Sequence, residues 1–177
     1  AGFSKVVFVV RPEIEDQVRE HVEAMVGGAV RTEYVHQRLG DVPPELPVPP
    51  DRRKPWGTGH AVLCASSRVR GPFAVCNADD LYGADAFRQL FLHLSADPPR
   101  SEAAMVGYTL ADTLSGSGGV ARGVCVLGRD RLLEQITEVR GIRRVEGWIT
   151  GEDPGGEVVE LQGDEVASMN LWGFTDP

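Results

Sequence analysis

The chain has 177 residues, 42% hydrophobic and 25% charged, which suits one soluble globular domain with a substantial core. Its 26 acidic against 18 basic residues leave a formal net charge of −8, which argues against a nucleic-acid partner but leaves a free nucleotide open. No apolar run approaches the roughly 20 residues that span a bilayer, and no basic-then-apolar leader is visible, so a cytoplasmic location with no membrane partner is expected.

The opening stretch, "AGFSKVVFVVRPE", has no initiator Met and reads as a helix end followed at once by a strand. The middle of an α/β domain begins that way, and "TDP" at the other end looks equally unfinished, so a trimmed piece of a longer protein is expected. "KVVFVV" (residues 5–10) is a continuous β-branched and aromatic run, the pattern of a strand buried on both faces of a parallel sheet. Pro12 suits the first turn of a helix whose positive end Glu13, Glu15 and Asp16 complement. That helix runs to about Met25, and Gly27 and Gly28 stop it. "VRTEYVHQ" reads as a second strand. Residues 39–57 form a long loop with six prolines, and a loop of that length in a compact domain is more often functional than idle.

"GTGHAVLCASSRV" follows as a short helix starting near Thr58, "PFAVCN" as a strand, and "ADAFRQLFLHLSA" as an amphipathic helix. "AAMVGYTL" is again a strand. Then "ARGVCVLG", "LLEQITEV", "EVVEL" and "ASMNLWGF" are short β-type segments, with turn residues such as "GEDPGGE" between them. The alternation predicts a mostly parallel sheet with an added hairpin region. Cys64, Cys76 and Cys125 are far apart and odd in number, among apolar neighbours, and read as reduced core thiols rather than metal ligands or a disulfide framework.

Asp79 and Asp80 fall at the carboxyl end of "PFAVCN", where open α/β sheets bind ligands. Adjacent carboxylates in a partly buried site repel each other unless a cation relieves them. Mg²⁺ takes one or two carboxylates together with substrate phosphates, which would give the pair a purpose. The alternative is that Asp80 caps the next helix and Asp79 is merely solvated. Gly57 and Gly59 bracket Thr58 before a helix, where backbone and helix N-terminus can meet an anion or a polar ring edge; a plain helix cap is the alternative.

Taken together, "KPWGTGHAVLCA", "FAVCNADDLYG", "GVARGVCVL" and "SMNLWGF" stand in the order and spacing of the sugar-phosphate nucleotidyltransferases. The chain resembles that family, which includes the glucose-1-phosphate uridylyl- and thymidylyltransferases, over nearly its whole length. The resemblance implies an α/β fold of the glycosyltransferase-A-like (nucleotide-diphospho-sugar transferase) kind, a mostly parallel sheet flanked by helices with a β-rich extension in the C-terminal half. It implies one nucleotidyltransferase domain over residues 1–177. It implies Mg²⁺ as cofactor, a nucleoside triphosphate and a sugar 1-phosphate as partners, and release of pyrophosphate as a nucleotide sugar forms. Asp79 would be the catalytic Mg²⁺ ligand, with Asp80 beside it at the metal or as a helix cap. Gly57 and Thr58 would contact the nucleobase, Asn170 the sugar, and the Gly119 backbone the sugar hydroxyls. A homo-oligomer stays open.

Each role has a structural rival. Asn170 can bridge two strand ends, Gly119 can serve turn geometry, and Trp172 and Phe174 read as core or pocket wall. Arg122 and the Arg52, Arg53, Lys54 cluster can be solvated, and His60 reads as structural. The chain also departs from the family. No glycine-rich loop with a basic residue follows the first strand, and the segment carrying a second metal-binding Asp is missing, so little turnover is expected of these 177 residues alone. Arg52 stands where several uridylyltransferases place a base-reading Gln. Two other readings stand beside the enzyme: a non-catalytic nucleotide-sugar-binding relative, and a metal-dependent glycosyltransferase for which "NADD" is a loose motif. A dinucleotide-dependent oxidoreductase is disfavoured, because no GxGxxG follows the first strand.

Overall fold

Lys5–Val10 forms strand β1 of the computed structural model, which describes residues 2–96 and 102–175. β1 pairs in parallel with β2, Arg31–His36, from Lys5 opposite Arg31 to Val10 opposite His36. A parallel pair needs a crossover, and helix α1, Glu15–Val26, supplies it. Pro12 opens the crossover in a 3-10 turn, Pro12–Ile14, where its missing N–H costs nothing. Gly27 closes α1 at φ 54°, in the left-handed region, and its N–H bonds the Glu23 carbonyl at 3.0 Å. Glu15 ties α1 to β2: its carboxylate accepts from Arg19 and from His36 Nε2, each at 2.5 Å. The Arg19 bond, then the His36 bond, hold that carboxyl below its ordinary range. Arg19 also lies over the Tyr34 ring, 4.0 Å from its centroid, and Tyr34 stacks on Phe8. Helix α2, Thr58–Ala65, runs on into a 3-10 turn, Ser66–Arg68. These elements belong to the first of two compact units, which runs to Phe73 and takes in Thr175.

The second unit, Ala74–Phe174, is built on a seven-stranded sheet. Its strands are β3 (Phe73–Val75), β4 (Ala103–Thr109), β5 (Val120–Leu127), β6 (Leu133–Val145), β7 (Trp148–Glu152), β8 (Val158–Leu161) and β9 (Val166–Phe174). They lie in the order β3-β9-β5-β6-β7-β8, with β4 also on β9. Helix α3, Ala84–Ser95, packs against β4 and β9.

The expected helix-flanked, mostly parallel sheet of glycosyltransferase-A type does not form. β1 and β2 pair in parallel, but in the larger sheet the registers joining β4 through β9 are all antiparallel. Connection length is the physical reason. Residues 128–132, 146–147 and 153–157 are too short for a crossover and join antiparallel neighbours directly. The shortest, Glu146–Gly147, has φ of 51° and 93°, the positive pair that a tight two-residue hairpin requires.

β6 is long enough to serve two neighbours: residues 133–142 pair with β5, and residues 140–145 pair with β7. Gly141, at φ 59°, sits at the register break between Arg140 and Arg143. The backbone there comes so close that a Cβ on Gly119 would lie 2.9–3.0 Å from Gly141. Gly119 is therefore demanded by strand packing, whatever else it does. Leu110, Ile142 and Ala167 have no exposed surface and, with Val139 and Ile149, form the core of this unit.

The turn before β9 covers that core. Leu110 N–H donates to the Glu165 carbonyl and Ala111 N–H to the Gly163 carbonyl, both at 2.9 Å. The Glu165 side chain takes the N–H groups of Gln162 and Gly163, one on each oxygen, at 2.7 Å. Partial burial works to raise this carboxyl, but the backbone N–H bonds outweigh it and hold the group below its ordinary 4.5. The stability this contributes is complete above pH 4.5 and is lost as pH falls through the lower folded value. Glu165→Gln is expected to cost about 1 kcal/mol at neutral pH, the low end for charge-assisted bonds because the turn is open to solvent. It should also flatten the acid limb of stability measured by urea titration, and an acid limb identical to wild type would refute the assignment.

Candidate functional site

β3 ends at Val75 and delivers the chain into Cys76–Gly83, from which α3 departs after Gly83 at φ 79°. The two carboxylates of this loop have opposite fates. Asp80 is half-buried, and its Oδ2 accepts from Asn77 Nδ2 at 2.8 Å, with the Tyr82 hydroxyl 3.4 Å away. Asp79 is exposed and has no hydrogen bond or ion pair to any described residue. Asp80 does not cap α3 either, because Gly83 holds the cap position and no side chain bonds there.

Tyr82 organises the loop from beneath. Its hydroxyl accepts from Asn77 N–H and donates to the Met169 carbonyl, both at 2.9 Å. Its own carbonyl accepts from the Tyr108 hydroxyl at 3.1 Å, and its ring meets Phe87 edge-on. Burial pushes the Tyr82 phenol up to about 12; the Asp80 charge adds to this, and the Asn77 N–H opposes it. The hydroxyl thus stays a donor at neutral pH. Tyr82→Phe leaves two half-buried backbone groups without their partner and is expected to cost about 1–3 kcal/mol. Chemical unfolding measures it, and a cost under about 0.5 kcal/mol would show that the hydroxyl carries no stability.

Asn170 stands in β9 at φ 66°, in the left-handed region, which is rare for a strand residue. Its position explains this. β9 pairs with β4 along its length, but the register breaks between Met105–Trp172 and Gly107–Ser168. β5 accompanies only residues 166–168 of β9, and β3 is a further neighbour. Asn170 lies within the break in the β4 register, past the last β9 residue paired with β5. Its N–H donates to Ser168 Oγ at 3.1 Å, and its Nδ2 donates to Asn77 Oδ1 at 2.9 Å. Asn170, in the middle of β9, is thus tied to Asn77 just past β3, and through Asn77 to the Asp80 carboxylate. Asn77 and Tyr82 had no assigned role in the sequence; their presence within "NADDLYG" was the one available signal.

Gly57 and Thr58 belong to the first unit, whereas Asp79, Asp80, Gly119 and Asn170 belong to the second. Gly57 is the extended residue before α2, and its carbonyl accepts from His60 N–H at 3.1 Å and Ala61 N–H at 3.3 Å. A Cβ at Gly57 or Gly59 would meet only open space, and neither has positive φ. The fold does not require these glycines, unlike Gly119. His60 is committed on both ring nitrogens: Nδ1 accepts from Gln37 Nε2 at 3.1 Å, and Nε2 donates to the Asp41 carbonyl at 2.7 Å. Arg52 stacks on Trp56, 3.7 Å from the ring centroid, and donates to the Pro55 carbonyl. Trp56 Nε1 donates to the Leu39 carbonyl at 3.0 Å. These contacts tie the proline-rich loop down from within. Arg122 spans from β5 to the Thr113 carbonyl at 2.9 Å. Of the cysteines, Cys125 is buried, Cys64 is half-buried and Cys76 is exposed, so Cys76 is not a core thiol.

No group of three or more His, Cys, Asp or Glu side chains is placed to hold a metal among the described residues. A Mg²⁺ site completed by substrate phosphates does not need one, since a single carboxylate can supply the protein's share. Asp79 fits that role by donor chemistry: hard oxygens, open to solvent, not engaged elsewhere. Asp80 fits it poorly, because its Oδ2 is already bonded. No helix is long and apolar enough to cross a membrane among the described residues. No protein-family model matches the chain, and no curated protein matches it either.

Proposed function

We propose that the protein transfers a nucleotidyl group from a nucleoside triphosphate to a sugar 1-phosphate, giving a nucleotide sugar and pyrophosphate. The observation that carries this reading is the split between the two carboxylates: Asp80 is bonded into the fold, and Asp79 is left exposed beside it. An exposed carboxylate on a loop held by a buried tyrosine is positioned without being consumed. In the reaction an oxygen of the sugar phosphate bonds to the α-phosphorus. The bond from that phosphorus to the bridging oxygen breaks, and pyrophosphate leaves with the electron pair. Such a transfer needs alignment and charge neutralisation more than covalent help from the protein. Asp79 would hold Mg²⁺, which would supply charge neutralisation at the phosphoryl oxygens. Within the second unit, Asn170 is assigned to the sugar.

The test is pyrophosphate release by the full-length protein, since little turnover is expected of these 177 residues alone, with and without Mg²⁺, from a panel of nucleoside triphosphates and glucose 1-phosphate. A Mg²⁺-dependent release matched by nucleotide sugar supports the proposal. Consumption of a nucleotide sugar with no pyrophosphate would favour a glycosyltransferase, and binding of nucleotide sugars with no turnover would favour a non-catalytic relative.

A further inference from the structure

We infer that Asn77 is a positioning residue for this same site, transmitting the charge of Asp80 into the orientation of the Asn170 side chain. The inference rests on the nucleotide-sugar reading above. Its argument is one of hydrogen-bond polarity. An ionised carboxylate only accepts, so Asp80 forces Asn77 to present its Nδ2, at 2.8 Å. That fixes the other end of the Asn77 amide as an acceptor, and Asn170 must then present its own Nδ2 to it, at 2.9 Å. One fixed charge thus sets two amide orientations in series. The Asn77 backbone is pinned separately by the Tyr82 hydroxyl at 2.9 Å, so the relay has a fixed base. At its far end, Asn170 sits at φ 66°, in the left-handed region that asparagine adopts more readily than other non-glycine residues. The relay thereby selects one orientation of the Asn170 amide over its flipped form.

A polarity swap tests this. Asn77→Asp places a second acceptor against Asp80 and breaks the relay. Adding Asp80→Asn restores it, since the new amide at position 80 donates to the new carboxylate, which still accepts from Asn170. The intact protein is titrated with UDP-glucose, dTDP-glucose, ADP-glucose and GDP-mannose in Mg²⁺, and with the matching triphosphates. N77D is expected to weaken the nucleotide sugar that wild type binds by on the order of tenfold, while triphosphate affinity holds. The N77D/D80N pair is expected to return to within about threefold of wild type. Loss of triphosphate and nucleotide-sugar affinity together in N77D, or no recovery in the folded double variant, would overturn the positioning role. If N77D does not fold, the double variant decides: retained sugar affinity supports the relay, and selective loss of it sinks the relay. Wild-type protein that binds none of the four nucleotide sugars overturns the functional reading itself, and the relay with it.

Discussion

Asp79→Ala is expected to lower Mg²⁺-dependent pyrophosphate release by roughly 10²–10³-fold, the usual cost of removing one preorganised contact to transition-state charge. The same change should leave stability within about 0.5 kcal/mol of wild type, because the side chain is exposed and bonds no described residue. This pairing of a large kinetic effect with a negligible folding effect is the diagnostic. Asp80→Ala should differ by costing stability, and by weakening nucleotide-sugar binding through the freed Asn77 and Asn170 amides. It strips the acceptor from Asn77 Nδ2, a half-buried donor, and is expected to cost about 1–3 kcal/mol of stability. Full Mg²⁺-dependent turnover in Asp79→Ala would remove the metal assignment, and a destabilised Asp79→Ala would mean the carboxylate serves the fold.

Leu110→Ala carries the largest expected effect on stability, about 3–5 kcal/mol. Leu110 has no exposed surface and lies in the core with Ile142 and Ala167. It is also roofed by the turn before β9, whose Glu165 carbonyl accepts the Leu110 N–H at 2.9 Å. A cavity there has little freedom to collapse, because the surrounding strands are locked by their registers. Leu132→Ala, at a residue 66% exposed, serves as the control and is expected to cost under about 0.5 kcal/mol. Urea or guanidinium unfolding of both variants gives the comparison, and a Leu110 cost near that of Leu132 would mean this cluster is not the core.

Residue pattern was a good guide to local elements and a poor one to their assembly. "KVVFVV" announces a strand, and β1 occupies those residues. The same run also suggested a strand deep in a parallel sheet, yet β1 has one hydrogen-bonded neighbour and Val6 reaches solvent. A run of apolar residues reports burial of side chains, not the direction of the next strand. β7 went unread, and β6 extends well past "LLEQITEV", because Arg140, Arg143 and Arg144 hide the inward Ile142. At the site, the chemistry-bearing stretch was legible but its division of labour was not. Asp79 and Asp80 are equivalent as letters. They become different only because Asn77, Tyr82 and Asn170 meet around one of them. Gly119 and Gly57 were likewise alike in sequence, and only the backbone of Gly141 separates a glycine the fold needs from one it does not.

The Asn77–Asn170 bond joins residues 93 positions apart, and β9 is the strand that β3, β4 and β5 all wait for. A ribosome must therefore deliver nearly the whole second unit before β3 and β4 have their strand partner, although β5 can pair with β6 earlier. Until then the nascent chain carries open strand edges that invite pairing with other chains. The carboxylate loop acquires its geometry in that same late step, so a partly synthesised chain has no organised ligand site to misuse. Protection from aggregation during synthesis, by chaperone or by slow emergence, should matter more for this protein than its modest size suggests.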